Sequence, residues 1–162
     1  MSYINGSEVM EKEGVKADTV TLSSIIAGLC RAKPSRLNQV RMILDHMEKK
    51  GPAPNARTYS PIIAALSAMK NFVACFQIIE RMESRGLQPN SYCFEPLLRQ
   101  HNPTEVINQA LALMIDRKTP FDPIYEKTFA RLTQTSTVKL IHQYKAVAGS
   151  MKSTDLRGKS FK

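Results

Sequence analysis

The nine residues MEKKGPAPN at positions 47–55 decide the fold, because the same pattern recurs along the chain. It returns as MESRGLQPN at positions 82–90, as MEKEGVKAD at positions 10–18 and, more weakly, as MIDRKTPFD at positions 114–122. The methionines that open the four copies are 37, 35 and 32 residues apart. Self-similarity at a nearly fixed period indicates a repeat protein.

Each copy of this motif joins two helical patterns. Apolar residues recur after it at i, i+3, i+4 and i+7, which is one face of a helix: Leu22, Ile25, Ile26 and Leu29; Tyr59, Ile62, Ile63 and Leu66; Phe94, Leu97 and Leu98. A second set precedes each methionine: Leu37, Val40, Leu44 and Met47; Val73, Phe76, Ile79 and Met82; Ile107, Ala110, Leu111 and Met114. The glycine of the motif suits a left-handed C-cap, and its final Asp or Asn suits the N-cap of the next helix.

The repeating unit is therefore a helix-turn-helix of about 35 residues. One helix pair cannot bury its apolar stripe alone, so neighbouring pairs stack and share a core. We predict an all-α fold, a right-handed α-solenoid without strands. We expect a partial repeat or cap over residues 1–18, repeats over 19–55, 56–90 and 91–122, a degenerate repeat and capping helix over 123–149, and a mobile basic tail over 150–162.

Composition restricts the class of protein further. The chain has 162 residues, 43% of them hydrophobic, and carries a formal net charge of +9. It is too apolar for a disordered protein, and no apolar run approaches the ~20 residues of a membrane span. Excess positive charge indicates an anionic partner, with nucleic acid ahead of a membrane, although basic residues also solvate helix surfaces. We expect the cysteines Cys30, Cys75 and Cys93 to be small buried thiols.

Catalytic motifs are not found in the sequence. His46, His101 and His142 have no histidine four residues away, as a helical zinc site needs, and no G-x-S-x-G, phosphate-loop or dinucleotide motif occurs. We therefore expect neither an enzyme nor a bound metal or cofactor, and no small-molecule substrate.

The repeats resemble those of the pentatricopeptide repeat family. TLSSIIAGLC at positions 21–30 and TYSPII at positions 58–63 are similar to the family's first helix, and the motif M-E-x-x-G-x-x-P-N is similar to its repeat ending. The resemblance covers roughly residues 7–132 and implies three to four repeats, hence a short chain or a fragment. The tetratricopeptide repeat requires a Trp and a Gly-x-x-Tyr in its first helix, which this chain lacks.

The resemblance implies that single-stranded RNA is read at about one base per repeat. The fifth residue of the first helix and the last residue of the repeat address a base edge, and the second residue flanks the base. Applied here, these positions are Ser23 with Asn55 flanked by Val20, and Ser60 with Asn90 flanked by Arg57. A small hydroxyl with Asn implies a preference for adenine. The alternative is that the two Asn residues only cap helices and the two Ser residues are ordinary first-turn residues.

The third repeat departs from this pattern, because it pairs Glu95 with Asp122, which is no recognised reading pair. Two reading repeats are too few for sequence-specific binding, so we expect either a fragment of a longer array or a chain held inside a larger assembly. The family implies organellar RNA metabolism, in mitochondria or, as second choice, chloroplasts. Met1 to Asp18 show neither a secretory nor a transit signal.

We therefore expect an RNA-binding protein associated with a mitochondrial ribosome, contacting ribosomal or single-stranded RNA and neighbouring proteins, and no membrane. Further RNA contacts are expected from the basic residues of the C-terminal segment: Lys152, Arg157, Lys159 and Lys162. The alternative function is a protein-protein scaffold that uses the solenoid surface.

Overall fold

The computed structural model describes the backbone of residues 18–158 and the side chains of residues 18–150. This part of the chain is helical, and no strand occurs in it. It divides into two compact units, with the boundary between Gln88 and Pro89. The predicted all-α class is confirmed.

The first unit contains four helices in two consecutive pairs: α1 (Thr19–Arg31), α2 (Leu37–Lys50), α3 (Ala56–Ala68) and α4 (Phe72–Ser84). Helix α1 packs against α2 and also against α3, and α3 packs against α4. The first helices of consecutive pairs are thus neighbours, which is the stacking that an α-solenoid repeat requires.

The core of the first unit follows the predicted helical faces. Met47 and Met82, which open the motif, are 1% and 0% exposed, and Tyr59 and Ile63 are fully buried. The prediction is wrong for Val73, which is 71% exposed, and for Ile25, which is 37% exposed. Each of these two residues lies at the margin of its apolar stripe, where the neighbouring helix does not cover it. The recurrent methionine is a core residue, as predicted, whereas Met10 lies outside the described residues.

The second unit begins with a shorter first helix than the periodicity predicts. Helix α5 (Ser91–Phe94) passes directly into a 3₁₀ turn (Glu95–Leu97). Pro96 has no N–H to donate within the helix, but Pro61 at the corresponding position lies inside α3, so proline alone does not end α5. Buried Asn102 closes the segment, because its Nδ2 donates to the carbonyls of Pro96 at 2.9 Å and Leu97 at 3.1 Å.

Three further helices complete the second unit: α6 (Thr104–Asp116), α7 (Ile124–Phe129) and α8 (Thr135–Gly158). Helix α6 packs against α8, and α7 packs against the 3₁₀ turn. Tyr125, Phe129 and Tyr144 form an aromatic cluster with ring centroids 5.5 to 6.1 Å apart. Ile124, which directly precedes Tyr125, is 38% exposed. Helix α8 runs to Gly158, so the segment that we predicted as a mobile tail from residue 150 begins inside a helix.

The turns between helix pairs require a positive φ. Gly51 and Gly86 have φ values of 81° and 78°, which favour glycine. Lys118 occupies the corresponding position of the fourth copy and has a φ of 50°. The positive φ is therefore retained where the glycine is replaced, whereas Gly51, with a ψ of 173°, does not form the left-handed cap that the sequence predicts.

Candidate functional site

The N-terminal turns of α1 and α3 lie side by side and bring together the predicted residues of the first repeat. The Ser23 hydroxyl lies 2.7 Å from the Thr58 hydroxyl. The Asn55 backbone N–H donates to Thr58 Oγ1 at 3.0 Å, and Thr58 donates to Asn55 Oδ1 at 3.3 Å. The side chains of Ser23 and Asn55, which are 32 residues apart in the sequence, therefore meet at one hydroxyl group.

Proton counting fixes the direction of these bonds. Thr58 has one hydroxyl hydrogen, which it donates to Asn55 Oδ1, so Ser23 must donate to Thr58 Oγ1. Ser23 Oγ then keeps its lone pairs, and Asn55 keeps both hydrogens of Nδ2. The first repeat thus offers a hydrogen-bond acceptor beside a hydrogen-bond donor, which is the chemistry needed to contact the edge of a base.

Thr58 was not recognised from the sequence as part of the site. It is fully buried, and it is the third residue of α3, two residues before the predicted Ser60. The spacing indicates that the two residues belong to successive repeats, because Thr58 follows Ser23 by 35 residues, close to the repeat length. Its contact with Ser23 depends on the packing of α1 against α3, which the spacing alone does not predict.

The other predicted residues of the first unit differ in how accessible they are. Val20 is 70% exposed, Arg57 is exposed and Ser60 is half-buried. Ser23 itself is only 8% exposed, so its oxygen lies at the edge of the surface. The side chains of Val20 and Arg57 are therefore more exposed to solvent than those of Ser23 and Ser60.

Asn90 belongs to the second unit and acts differently from Asn55. Its Oδ1 accepts a hydrogen bond from the Tyr92 backbone N–H at 3.1 Å, which caps α5. Cys93 occupies the position that corresponds to Thr58, so the hydroxyl bridge of the first repeat has no counterpart of the same chemistry there.

The two acids of the third repeat are engaged by neighbouring side chains. Glu95 pairs with Arg99 at 3.2 Å. Asp122 accepts from the Ser91 hydroxyl at 2.6 Å and from the Ile124 backbone N–H at 3.0 Å, and these bonds hold the pKa of Asp122 below its ordinary value. Both acids have structural partners, in keeping with the absence of a reading pair.

A charged cluster fixes α4 against α2 behind the candidate site. Arg81 reaches both Asp45 and Glu48 at 2.5 Å, and Tyr59 donates to Glu48 at 2.6 Å. Since Tyr59 is on α3, this cluster joins three helices of the first unit. It ties α2, the second helix of the first pair, to both helices of the second pair.

Two of the four predicted C-terminal residues, Lys159 and Lys162, lie outside the described residues. Lys152 and Arg157 lie on α8, at positions where only the backbone is described. In the part of the chain with described side chains, no group of three His, Cys, Asp or Glu residues could hold a metal ion. No helix within the described range has the length and apolar character needed to span a bilayer.

Comparison with known families identifies the repeats. The family model described as "Pentacotripeptide-repeat region of PRORP" matches residues 4–115, which is more than half of the chain. No curated protein sequence matches the chain.

Proposed function

Because the chain belongs to the pentatricopeptide repeat family, we propose that it binds RNA through the N-terminal turns of α1 and α3. Repeats of this family are generally RNA-binding modules of organelles, and they are typically not catalytic. The observation that carries the proposal is the network of Ser23, Thr58 and Asn55, which holds a donor and an acceptor beside the exposed Val20 and Arg57.

The network supports contact with a base in the following way. Asn55 Nδ2 donates to a ring nitrogen of the base, and Ser23 Oγ accepts from an exocyclic amino group. Adenine presents such a pair of groups, in agreement with the preference that the family resemblance implies. Val20 packs on one face of the base and the Arg57 guanidinium stacks on the other. For the second repeat, contact of Ser60 and of Asn90 with RNA stays a prediction from the family resemblance.

We assign repeats to residues 19–55, 56–90 and 91–122, with a partial repeat or cap before them and a degenerate repeat and capping helix over 123–149. Only two of these repeats have a reading pair, so base contacts add a preference rather than a strict sequence requirement. Phosphate contacts then supply most of the affinity. This balance suits a non-catalytic protein docked on ribosomal RNA of a mitochondrial ribosome, with Lys152, Arg157, Lys159 and Lys162 as additional phosphate contacts.

The experiment compares the purified chain and its Asn55→Ala variant on an A-rich and a U-rich single strand of equal length. We expect the wild type to prefer the A-rich strand, because one bidentate contact discriminates by about 1–3 kcal/mol. The variant should lose this preference and retain most of its affinity. A wild type without preference would contradict base reading, and one without affinity for either strand or for structured ribosomal RNA would contradict RNA binding.

A protein scaffold is the second candidate function. In the second unit, Tyr92 is 64% exposed and Ile124 is 38% exposed. Each lies two positions after the predicted last residue of a repeat, Asn90 or Asp122. Exposed large apolar side chains at repeated positions also suit a protein partner. The scaffold predicts a protein that co-purifies with the chain after complete nuclease digestion, whereas the RNA-binding proposal predicts that nuclease releases the partners.

A further inference from the structure

The first helix pair carries an unusual distribution of charge. Between Thr19 and Leu44 the sequence contains four basic residues and no acidic residue. Three of the basic residues, Lys33, Arg36 and Arg41, lie in the turn between α1 and α2 or in the first half of α2, and all three are exposed. We call these three residues the turn surface.

The polypeptide holds this turn close to the end of α1. The Arg36 backbone N–H donates to the Leu29 carbonyl at 3.2 Å, and the Ser35 hydroxyl donates to the Cys30 carbonyl at 3.2 Å. Arg41 follows Arg36 by five residues, which is about 7.5 Å along the axis of α2. The three cations therefore lie within one short segment of the first unit, residues 33–41.

None of the three cations is neutralised by a carboxylate in the described part of the chain. The acid nearest to Arg41 along α2 is Asp45, four residues later, and Asp45 is already paired with Arg81 at 2.5 Å. Glu48, the other acid of α2, is paired with the same Arg81. The positive end of the α2 helix dipole adds to the charge of the turn.

The turn surface is separate from the candidate base-reading site. Val20 and Ser23 lie in the first turn of α1, whereas the turn surface is attached near Leu29, about 13 Å further along the helix axis from Val20. The two surfaces are therefore distinct parts of the first unit.

From this placement we propose that the turn surface binds the sugar-phosphate backbone of folded RNA while the α1 and α3 N-terminal turns contact an unpaired segment of the same RNA. The inference rests on the proposed function. Three exposed, unpaired cations without neighbouring acids attract phosphates and carry no information about base sequence. Lys33, Arg36 and Arg41 would thus supply affinity, and Ser23 with Asn55 would supply preference.

The test uses an RNA hairpin with an A-rich loop and a triple variant, Lys33→Gln, Arg36→Gln and Arg41→Gln, in the full chain. A matched control, Lys49→Gln, Lys50→Gln and Lys70→Gln, changes three other exposed cations of the first unit. Both variants lower the net charge from +9 to +6 by removing three positive charges. A difference between them therefore reports the position of the charges rather than their number. Circular dichroism and thermal melting establish that both variants are folded.

We expect the triple variant to bind the hairpin less tightly, with a salt dependence shallower by about 2 in log K against log salt concentration. The ratio of the wild-type to the variant association constant should therefore be about 16-fold larger at 50 mM than at 200 mM salt, because a slope difference of about 2 over a fourfold change in salt gives a factor of about 16. The preference for an A-rich over a U-rich loop should persist in this variant. The control should keep the slope of the wild type.

Each other outcome overturns the inference. Equal losses in the two triple variants would mean that only net charge matters, and an unchanged slope in the first variant would mean that phosphates do not contact the turn surface. If the wild type bound vesicles of anionic lipid but no RNA, both the inference and the proposed function would be wrong. If Asn55→Ala lost its base preference while the turn-surface variant bound like the wild type, only the inference would fail.

Discussion

The hydroxyl groups of Ser23 and Thr58 lie 2.7 Å apart, although 35 residues separate them in the sequence. This separation is one repeat, so the bond connects the first turns of two successive helix pairs. Because Thr58 also contacts Asn55, the same hydroxyl joins the N-cap of α3 to the neighbouring helix. One buried hydroxyl group therefore links two stacked helices and also positions the candidate reading groups.

Thr58→Val should destabilise the protein by about 1–3 kcal/mol, because the variant leaves the Asn55 N–H and the Ser23 hydroxyl without their partner. Valine has nearly the shape of threonine, so the loss reports the hydroxyl rather than a cavity. Urea denaturation followed by circular dichroism measures it. Thr58→Ser keeps the hydroxyl and should retain more stability than the valine variant. Equal losses in both variants would show that the methyl group, not the bond, stabilises this position.

Glu48 should make the stability of the first unit dependent on pH. Burial raises the pKa of this carboxyl group, but hydrogen bonds from Arg81 and Tyr59 more than offset it, so the pKa lies below the ordinary value of 4.5. The unfolded chain therefore binds a proton at a higher pH than the folded chain does. The contribution of Glu48 is present above about pH 4.5 and decreases as the pH falls through the lower, folded-state pKa.

This dependence is measured as the free energy of unfolding of the wild type and of Glu48→Gln between pH 3 and pH 6. The variant should lose stability at pH 6 and should show a flatter profile, because its side chain does not titrate. Asp18 and Asp122, whose pKa values are also lowered, titrate in both proteins and cancel in the comparison. Parallel profiles for the two proteins would exclude Glu48 as a source of the pH dependence.

The three cysteines should react slowly with thiol reagents in the folded protein. Cys30, Cys75 and Cys93 are buried and form no disulfide, and burial raises their pKa values to about 11, 12 and 11. Thiolate is the reactive form, so little of it is present at pH 8. Colorimetric titration at that pH should detect three thiols promptly in denaturant and almost none in buffer. Rapid reaction of any one of them in buffer would mean that its helix opens locally.

Lys118→Gly should stabilise the protein by up to about 1 kcal/mol, because Lys118 has a φ of 50°, where glycine has no steric cost. The reverse test is Gly86→Ala. No atom lies within 4 Å of the added Cβ, so its cost, about 1 kcal/mol, comes from the positive φ of 78° alone. Thermal unfolding of the two variants measures both effects. A loss of stability in Lys118→Gly would show that the lysine side chain has an interaction that outweighs the backbone cost.

The helical faces and the repeat could be predicted from the sequence because they depend on local periodicity. Leu22, Ile26, Tyr59 and Ile63 recur with the helical period, and all four are buried. Asp18 shows the same for capping, since its side chain accepts from the Thr21 N–H at 2.8 Å. Such features involve residues within one or two turns of each other, and their chemistry is readable without knowledge of the fold.

Features that depend on contacts between helices were not predictable in the same way. Val73 fits the period of α4, but whether it is covered depends on where the next helix lies. The pairing of Arg81 with Asp45 and Glu48 joins residues 36 and 33 positions apart, so it depends on how α4 packs against α2. The bridge through Thr58 belongs to the same class, since only the packing of α1 against α3 brings its partners together.

RNA binding by this chain is tested most directly by equilibrium titration of the purified wild-type protein, free of nucleic acid, with a labelled A-rich hairpin at several salt concentrations. The account predicts saturable binding whose association constant falls linearly on a double-logarithmic plot against salt, with a slope of about −2 or steeper. Absence of binding, or a constant that does not change with salt, would contradict it.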